Sequence, residues 1–340
     1  MPMTQGFELL KLIYETFSPS REEKRMRKVL RRECKERKVK VVKDATGNLL
    51  ITKGKADSYP CICAHMDQVQ HLHSKDFTVY QQDDCIFAFS AKSRSQQGLG
   101  ADDKNGLWIA LELLNELPVL KCAFFVGEEI GCIGSSKVDL NFFKDVRYCI
   151  QADRRNGGDL ITAISGDICS KDFIVSLDYK DYGYKPCDGL TTDVGTLVHR
   201  GVGVSCINIS CGYYDPHTDH ETTLWSELVN AKAFAKHICE KLTDTYPHKY
   251  EMPYRPFSFS FGSLYGRRYY DTIRPAKRES DAGDWLRESY NRVDKRTMKD
   301  LLRLHPEMTF EDILNYHIDN FYCDDVDLLN DMYQDAVNDK

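Results

Sequence analysis

Apolar positions recur at helical spacing from Phe7 to Phe17, and Ser18-Pro19-Ser20 breaks the pattern. Ser20 and Glu23 have the spacing of a capping box, which predicts a second, highly charged helix to about Arg37. Val39 to Val42 and Asn48 to Thr52 read as strands around the turn Asp44-Ala45-Thr46-Gly47. Phe77 to Gln81 and Cys85 to Ser90 read as a hairpin, and the pattern after Asp103 predicts a helix to about Leu117. Ser135 to Val146 reads as helical, and Glu221 to Leu242 as a long amphipathic helix.

Between these elements lie four short, mainly apolar runs. Cys61-Ile62-Cys63-Ala64 stops at His65, and Cys122-Ala123-Phe124-Phe125-Val126 stops at Gly127-Glu128-Glu129. Tyr148-Cys149-Ile150-Gln151-Ala152 stops at Asp153, and Val204 to Ile209 leads by a short loop to His217. Short, mainly apolar strands alternating with helices predict an α/β fold, a mostly parallel mixed sheet covered by helices on both faces. Ligands of such sheets gather at the carboxyl ends of the strands. A polar residue after a strand is ordinary, but four strands ending in His, Glu and Asp are poorly explained that way.

The pattern changes after about Thr243. Tyr246 to Lys277 is rich in Tyr, Phe, Arg and Pro with little periodicity, and two helical segments follow, each opened by Thr-x-x-Asp at Thr297 and Thr309. This predicts a main domain over 1–243, a connector over 244–280 and a small acidic helical appendage over 281–340. From Glu307 to Asp339 there are ten acids and no Lys or Arg, read as a solvated helical face, with an interaction tail as the alternative.

Composition narrows the class. With 340 residues, 42% hydrophobic and 29% charged, the chain can build a sizeable core. A net charge of -6 gives no electrostatic case for nucleic acid. The thirteen cysteines are an odd number, contain no CxxC pair, and several sit inside apolar runs. They read as reduced, buried thiols of a cytoplasmic protein. The first residues lack the pattern of a signal peptide, and no apolar run approaches the ~20 residues of a membrane span.

The chemistry centres on Gly98-Leu99-Gly100-Ala101-Asp102-Asp103-Lys104-Asn105-Gly106, two adjacent acids in a glycine-rich turn before a helix. With His65, Asp67, Glu128, Glu129, Asp153 and His217 this is the donor set of a two-metal hydrolase. Two ions about 3.5–4 Å apart can share a water and polarise a carbonyl. Asp102 suits the bridge, His65 and His217 a terminal position on each metal, and Asp153 and Glu129 complete the sets. Glu128 suits the base, and Asp67 can fix the His65 tautomer. Oxygen and nitrogen donors without thiolate suit two divalent ions, Zn first, with Co or Mn as alternatives.

Ala64-His65-Met66-Asp67, Gly100 to Gly106, Gly127-Glu128-Glu129-Ile130-Gly131, Ala152-Asp153 and His217-Thr218-Asp219-His220-Glu221 resemble the motifs of the di-zinc exopeptidases, the peptidase T-like and zinc aminopeptidase-like metallopeptidases. The resemblance runs through residues 7–242 in the family's order. It implies that His65 and Asp153 bind one metal, Glu129 and His217 the other, with Asp102 bridging, Glu128 as base and Asp67 as orienting acid. It implies a cis peptide at Asp102–Asp103. Peptidase T-like members carry a lid domain between the positions of Asp153 and His217. Only 64 residues separate these here, and only 37 separate His65 from Asp102, so the chain reads as lidless.

The implied function is a metallo-exopeptidase, an aminopeptidase acting on a peptide or small amide. A deacylase of N-acyl amino acids is the alternative on the same motifs, and a non-catalytic binding protein on a peptidase fold is the alternative of another class. Arg154 is a candidate for holding a substrate carboxylate. Asp193 is a candidate for a substrate amino group, or for a helix cap. His71, His73 and His220 read as non-ligands. A homo-oligomer is compatible with the sequence.

Overall fold

The computed structural model describes residues 3–251. The appendage and most of the connector lie outside the described residues. The chain opens with α1 (Met3–Tyr14), α2 (Lys24–Glu36), β1 (Lys40–Lys43), β2 (Leu49–Lys53) and β3 (Tyr59–His65). There follow β4 (Phe77–Gln82), β5 (Cys85–Ser90), β6 (Ser95–Gln97), α3 (Ala101–Glu116), β7 (Leu120–Phe125), α4 (Ile133–Lys137) and β8 (Val146–Arg154). The remainder is β9 (Asp159–Ala163), α5 (Lys171–Ser176), β10 (Lys185–Asp188), α6 (Asp193–His199), β11 (Cys206–Ser210), β12 (Tyr213–Tyr214), β13 (Thr222–Leu224) and α7 (Trp225–Lys241).

Eight strands form one sheet in the order β1-β2-β7-β3-β8-β11-β9-β10. Its centre, β7, β3, β8 and β11, is parallel, and these are the four apolar runs. β2 joins β7, and β9 joins β11, antiparallel, so the sheet is mixed. Side chains alternate between two cores, as strand geometry demands. From β3, Ile62 and Ala64 enter one core with α1, α2, α3 and α7; Cys61 and Cys63 enter the other with α6. Every residue of β3 and β7 is buried, because helices cover both faces. Cys61 pairs in register with Cys149, and Cys149 with Cys206, so the apolar-run cysteines form a buried row of thiols. The described cysteines are all free.

A smaller sheet, β12-β13-β5-β4 with β6 beside β5, holds the predicted hairpin. The interval from Asp153 to His217 is used up by β9, α5, β10, α6, β11 and β12, and no separate lid is present among the described residues. Among them no helix is long and apolar enough to cross a membrane.

Three local expectations change. Ser20 does not cap α2; its hydroxyl donates to Asp67 Oδ2 at 2.7 Å, and the residue at the cap, Glu23, makes no side-chain cap bond. The helix expected from Ser135 to Val146 breaks at Val138 (φ -59, ψ 144), leaving α4 and a short 3-10 turn over Leu140–Phe143. The last helix starts at Trp225 rather than Glu221, because Thr222–Leu224 pairs with β5 and β12.

Candidate metal centre

The parallel strands deliver their polar ends to one place. β3 ends on His65, and β8 carries Asp153 next to its last residue. β7 is followed by Gly127 in the left-handed region (φ 62), which turns the chain sharply into Glu128-Glu129. β11 leads through β12 to His217, itself at φ 65. Gly100 (φ 66) opens α3, and the Asp102–Asp103 peptide is cis.

Asp102 lies between the two histidines. Its Oδ1 is 2.9 Å from His65 Nε2, and that nitrogen is 3.5 Å from Asp153 Oδ1. Its Oδ2 is 3.3 Å from His217 Nε2, which is also 3.3 Å from Glu129 Oε2. Tetrahedral ligands at about 2.0–2.1 Å from a cation stand about 3.3 Å from one another. Each histidine thus stands at ligand-to-ligand spacing from Asp102 and from one further acid, and His65, Asp102 and Glu129 also offer donor atoms within 4.8 Å of one another. Oxygen and imidazole donors without thiolate fit Zn, Co or Mn. Asp103 also lies near His65 and Asp153, but its oxygens accept the backbone N–H of His65 (3.1 Å) and of Gly106 (3.0 Å), folding the turn.

The electrostatics fit cations at the same point. Burial and the Asp102 charge push the Asp153 and Glu129 carboxyls above their usual range. Burial, with Asp153, Glu129 and Asp193 nearby, pushes Glu128 up as well. Burial opposes ionisation of Asp102 too, but His217 and His65 outweigh it and hold that carboxyl well below the usual range. Crowded buried acids of this kind are what a bound divalent ion neutralises.

An outer layer fixes these groups. His65 Nδ1 donates to the Asp67 carbonyl at 3.0 Å, which leaves Nε2 turned toward Asp102 and Asp153. The Asp67 carboxylate accepts the backbone N–H of Glu128 (3.0 Å) and of Glu129 (3.3 Å). Gln151 Nε2 donates to Asp153 Oδ2 at 2.9 Å, and the Asn208 amide pairs with the Asp153 backbone at 2.9 and 3.1 Å. The Tyr213 hydroxyl donates to Asp102 Oδ2 at 3.1 Å. Glu221, fully buried, accepts from the backbone of Gly100, Ala101 and Asp102.

Sequence reasoning did not assign Ser20, Gln151, Asn208, Tyr213 or Glu221 to this layer. Gln151 and Asn208 carried a signal: each is an isolated polar residue in an otherwise apolar run.

No family model and no curated protein matches the sequence. Solved structures do. Aminopeptidase PepT from Bacillus cereus matches with a TM-score of 0.59 at 16% identity, over 70% of this chain and 98% of that one. A tripeptidase from Staphylococcus aureus matches at 0.56 and 13%, over 70% and 97%. The aminopeptidase APDkam598 from Desulfurococcus kamchatkensis matches at 0.54 and 18%, over 71% and 96%. The chain has the fold of these peptidases.

Within that peptidase fold, His65, Asp67, Asp102, Glu128, Glu129, Asp153 and His217 come together at the strand ends. His217 forms the open side, its side chain 38% exposed. Arg154 Nε is paired with Asp159 Oδ2 at 2.9 Å. Asp193 is fully buried, bonded to the Ser135 hydroxyl through Oδ1, with Oδ2 buried and unpartnered. Thr192 precedes it at the cap of α6 without a side-chain cap bond. His73 is stacked between Phe17 and Phe77 at 4.9 and 4.2 Å, and burial lowers its pKa to about 4.

Proposed function

We propose that the chain is a metal-dependent exopeptidase, an aminopeptidase, that hydrolyses a terminal peptide bond. The observation that carries the proposal is that Asp102 Oδ1 faces His65, which also faces Asp153, while Asp102 Oδ2 faces His217, which also faces Glu129. In this reading His65 and Asp153 would hold one divalent ion, Glu129 and His217 the other, and Asp102 would serve both. Such a pair, Zn first, supplies Lewis acidity toward a carbonyl and makes water acidic near neutral pH.

The chain's own groups do the rest. Glu128 takes the proton of the attacking water and returns it to the leaving nitrogen. A carboxylate next in sequence to the proposed ligand Glu129 is the kind of group that can accept that proton and give it back. The bond from Asp67 to the Glu128 backbone fixes where that carboxylate starts from. The aminopeptidase and tripeptidase names of the structural neighbours support the hydrolase class.

The test is the divalent metal content of the purified chain, together with a screen of aminoacyl and N-acyl amino-acid substrates with added Zn, Co or Mn. Metal-dependent release from free-amine substrates supports the proposal. Hydrolysis confined to N-acyl amino acids makes the chain a deacylase. A chain that hydrolyses neither is a binding protein on a peptidase fold.

A further inference from the structure

Glu221 lies four residues after His217, and its side chain does not join the helix that the sequence pattern assigns to it. Its carboxylate turns inward and is fully buried. Oε2 accepts the backbone N–H of Gly100 at 2.5 Å and of Ala101 at 3.0 Å, and Oε1 that of Asp102 at 3.3 Å. The Gln70 side-chain amide donates to Oε2 at 3.1 Å. Three successive N–H groups converging on one anion form a backbone nest. Here the anion comes from a segment 119 to 121 residues away in sequence.

The nest lies at the first turn of α3, whose N–H groups lack helical partners and whose dipole favours negative charge. Asp102 and Asp103 have non-helical backbone angles, so helix propagation does not hold this turn in place. The approach is close. A Cβ on Gly98 would lie 2.5 Å from the Thr218 carbonyl oxygen, so glycine there lets the 217–221 segment reach the turn. One short segment thus carries His217 to Asp102 Oδ2 and grips the backbone from which Asp102 projects.

We infer that Glu221 is a positioning residue of the metal centre, locking the Gly100–Asp102 backbone to the His217 segment so that Asp102 faces both histidines. The inference rests on the two-metal reading above. A carboxylate is required, because it accepts from all four donors. In a glutamine the amide NH2 would replace one oxygen and oppose at least one of those N–H groups.

The experiment measures divalent zinc affinity of the full-length chain by competition with a chelator, for the native protein, E221Q and E221D. Steady-state kinetics are run at limiting and at saturating zinc. Orienting groups behind metal ligands typically contribute about 10–100-fold in affinity. E221Q is expected to lose affinity in that range and to recover kcat at saturating zinc, with KM for substrate little changed. E221D, which keeps the charge on a shorter arm, is expected to fall between. Native zinc affinity in E221Q, with lower thermal stability of the metal-free protein alone, overturns the inference and leaves Glu221 a structural residue. If E221Q does not fold, E221D decides: reduced zinc affinity supports positioning, native affinity overturns it. A native chain that takes up no zinc, cobalt or manganese overturns the two-metal reading itself, and the inference with it.

Discussion

The Asp67 carboxylate accepts the backbone N–H of Glu128 at 3.0 Å, across 61 residues of sequence. The same residue accepts from His65 Nδ1 through its carbonyl oxygen. One acid thus orients a proposed ligand and places the proposed base. Burial raises its pKa, but His65, Ser20 and the Glu128 N–H outweigh burial and hold it below the usual range, so it serves as an anion. In Asp67→Asn an amide NH2 must face Ser20 or one of the two backbone donors. We expect kcat to fall about 10–100-fold, with weaker metal binding. Ser20→Ala, which removes one donor only, should cost far less. Kinetics of the two variants side by side check this, and equal, small effects would refute it.

Glu128→Gln is expected to bind metal nearly as the native chain does while turnover falls at least about 100-fold, the usual scale for losing a general base. Metal analysis and kinetics on one preparation decide. Loss of metal would make Glu128 a ligand, and native turnover would remove it from the reaction.

Asp102→Ala should lose both ions, since each histidine faces a different oxygen of that one carboxylate. Full occupancy of one position in elemental analysis would contradict the bridging role.

Much of this was legible in the chain. A strand covered on both faces is mostly apolar, so β3, β7, β8 and β11 appear as short runs, and His65, Glu128-Glu129 and Asp153 mark where they meet the site. What stayed hidden was decided by tertiary partners. Ser20 has capping-box spacing, but a buried carboxylate at Asp67 offered it a charged acceptor. Glu221 fits a helical first turn, but the free N–H groups of a distant helix claim it. β9, β10 and β13 are short and only partly buried, so they lack both the alternation and the apolar run that announce a strand.

Lys104 provides a prediction in pH. Its ammonium is buried and donates to the Tyr14 carbonyl (3.1 Å), Gln68 Oε1 (2.6 Å) and the Leu99 carbonyl (3.0 Å), all neutral acceptors. Burial, opposed by Glu221, lowers its pKa from 10.5 to about 7. Between those values the unfolded chain carries more protons at this residue than the folded one, so its contribution to stability rises with pH across that window. The slope for one group is at most about 1.4 kcal/mol per pH unit. Buried thiols act in the opposite sense above about pH 8.5, and they cancel when two proteins are compared. The stability of the native chain minus that of Lys104→Met, from urea unfolding at pH 7 and pH 9, should increase with pH. A difference independent of pH would mean that Lys104 titrates alike in both states.

The last prediction concerns the chain beyond the sheet. All the proposed ligands, and the Glu221 contacts behind them, are in place before α7, which covers one face of the sheet from Trp225 to Lys241. The chain stays attached after that helix. The Tyr246 N–H donates to the Arg147 carbonyl (3.0 Å), its carbonyl accepts the Ser205 N–H (2.8 Å), and its ring packs on Phe173 and Tyr148. The Tyr250 hydroxyl donates to the Ser165 carbonyl at 3.0 Å. A cut after residue 280 leaves every one of these contacts intact. We propose that residues 281–340 are an accessory to the catalytic unit. In the sequence they hold two Thr-x-x-Asp signatures, at Thr297 and Thr309, and a segment this short is at best marginally stable as a domain alone. The shortened chain is therefore expected to stay soluble, bind two metal ions and hydrolyse small substrates at rates near those of the full chain. Elemental analysis and kinetics on the truncated protein test it. Loss of both metals would make the segment part of the catalytic core, because no proposed ligand was removed.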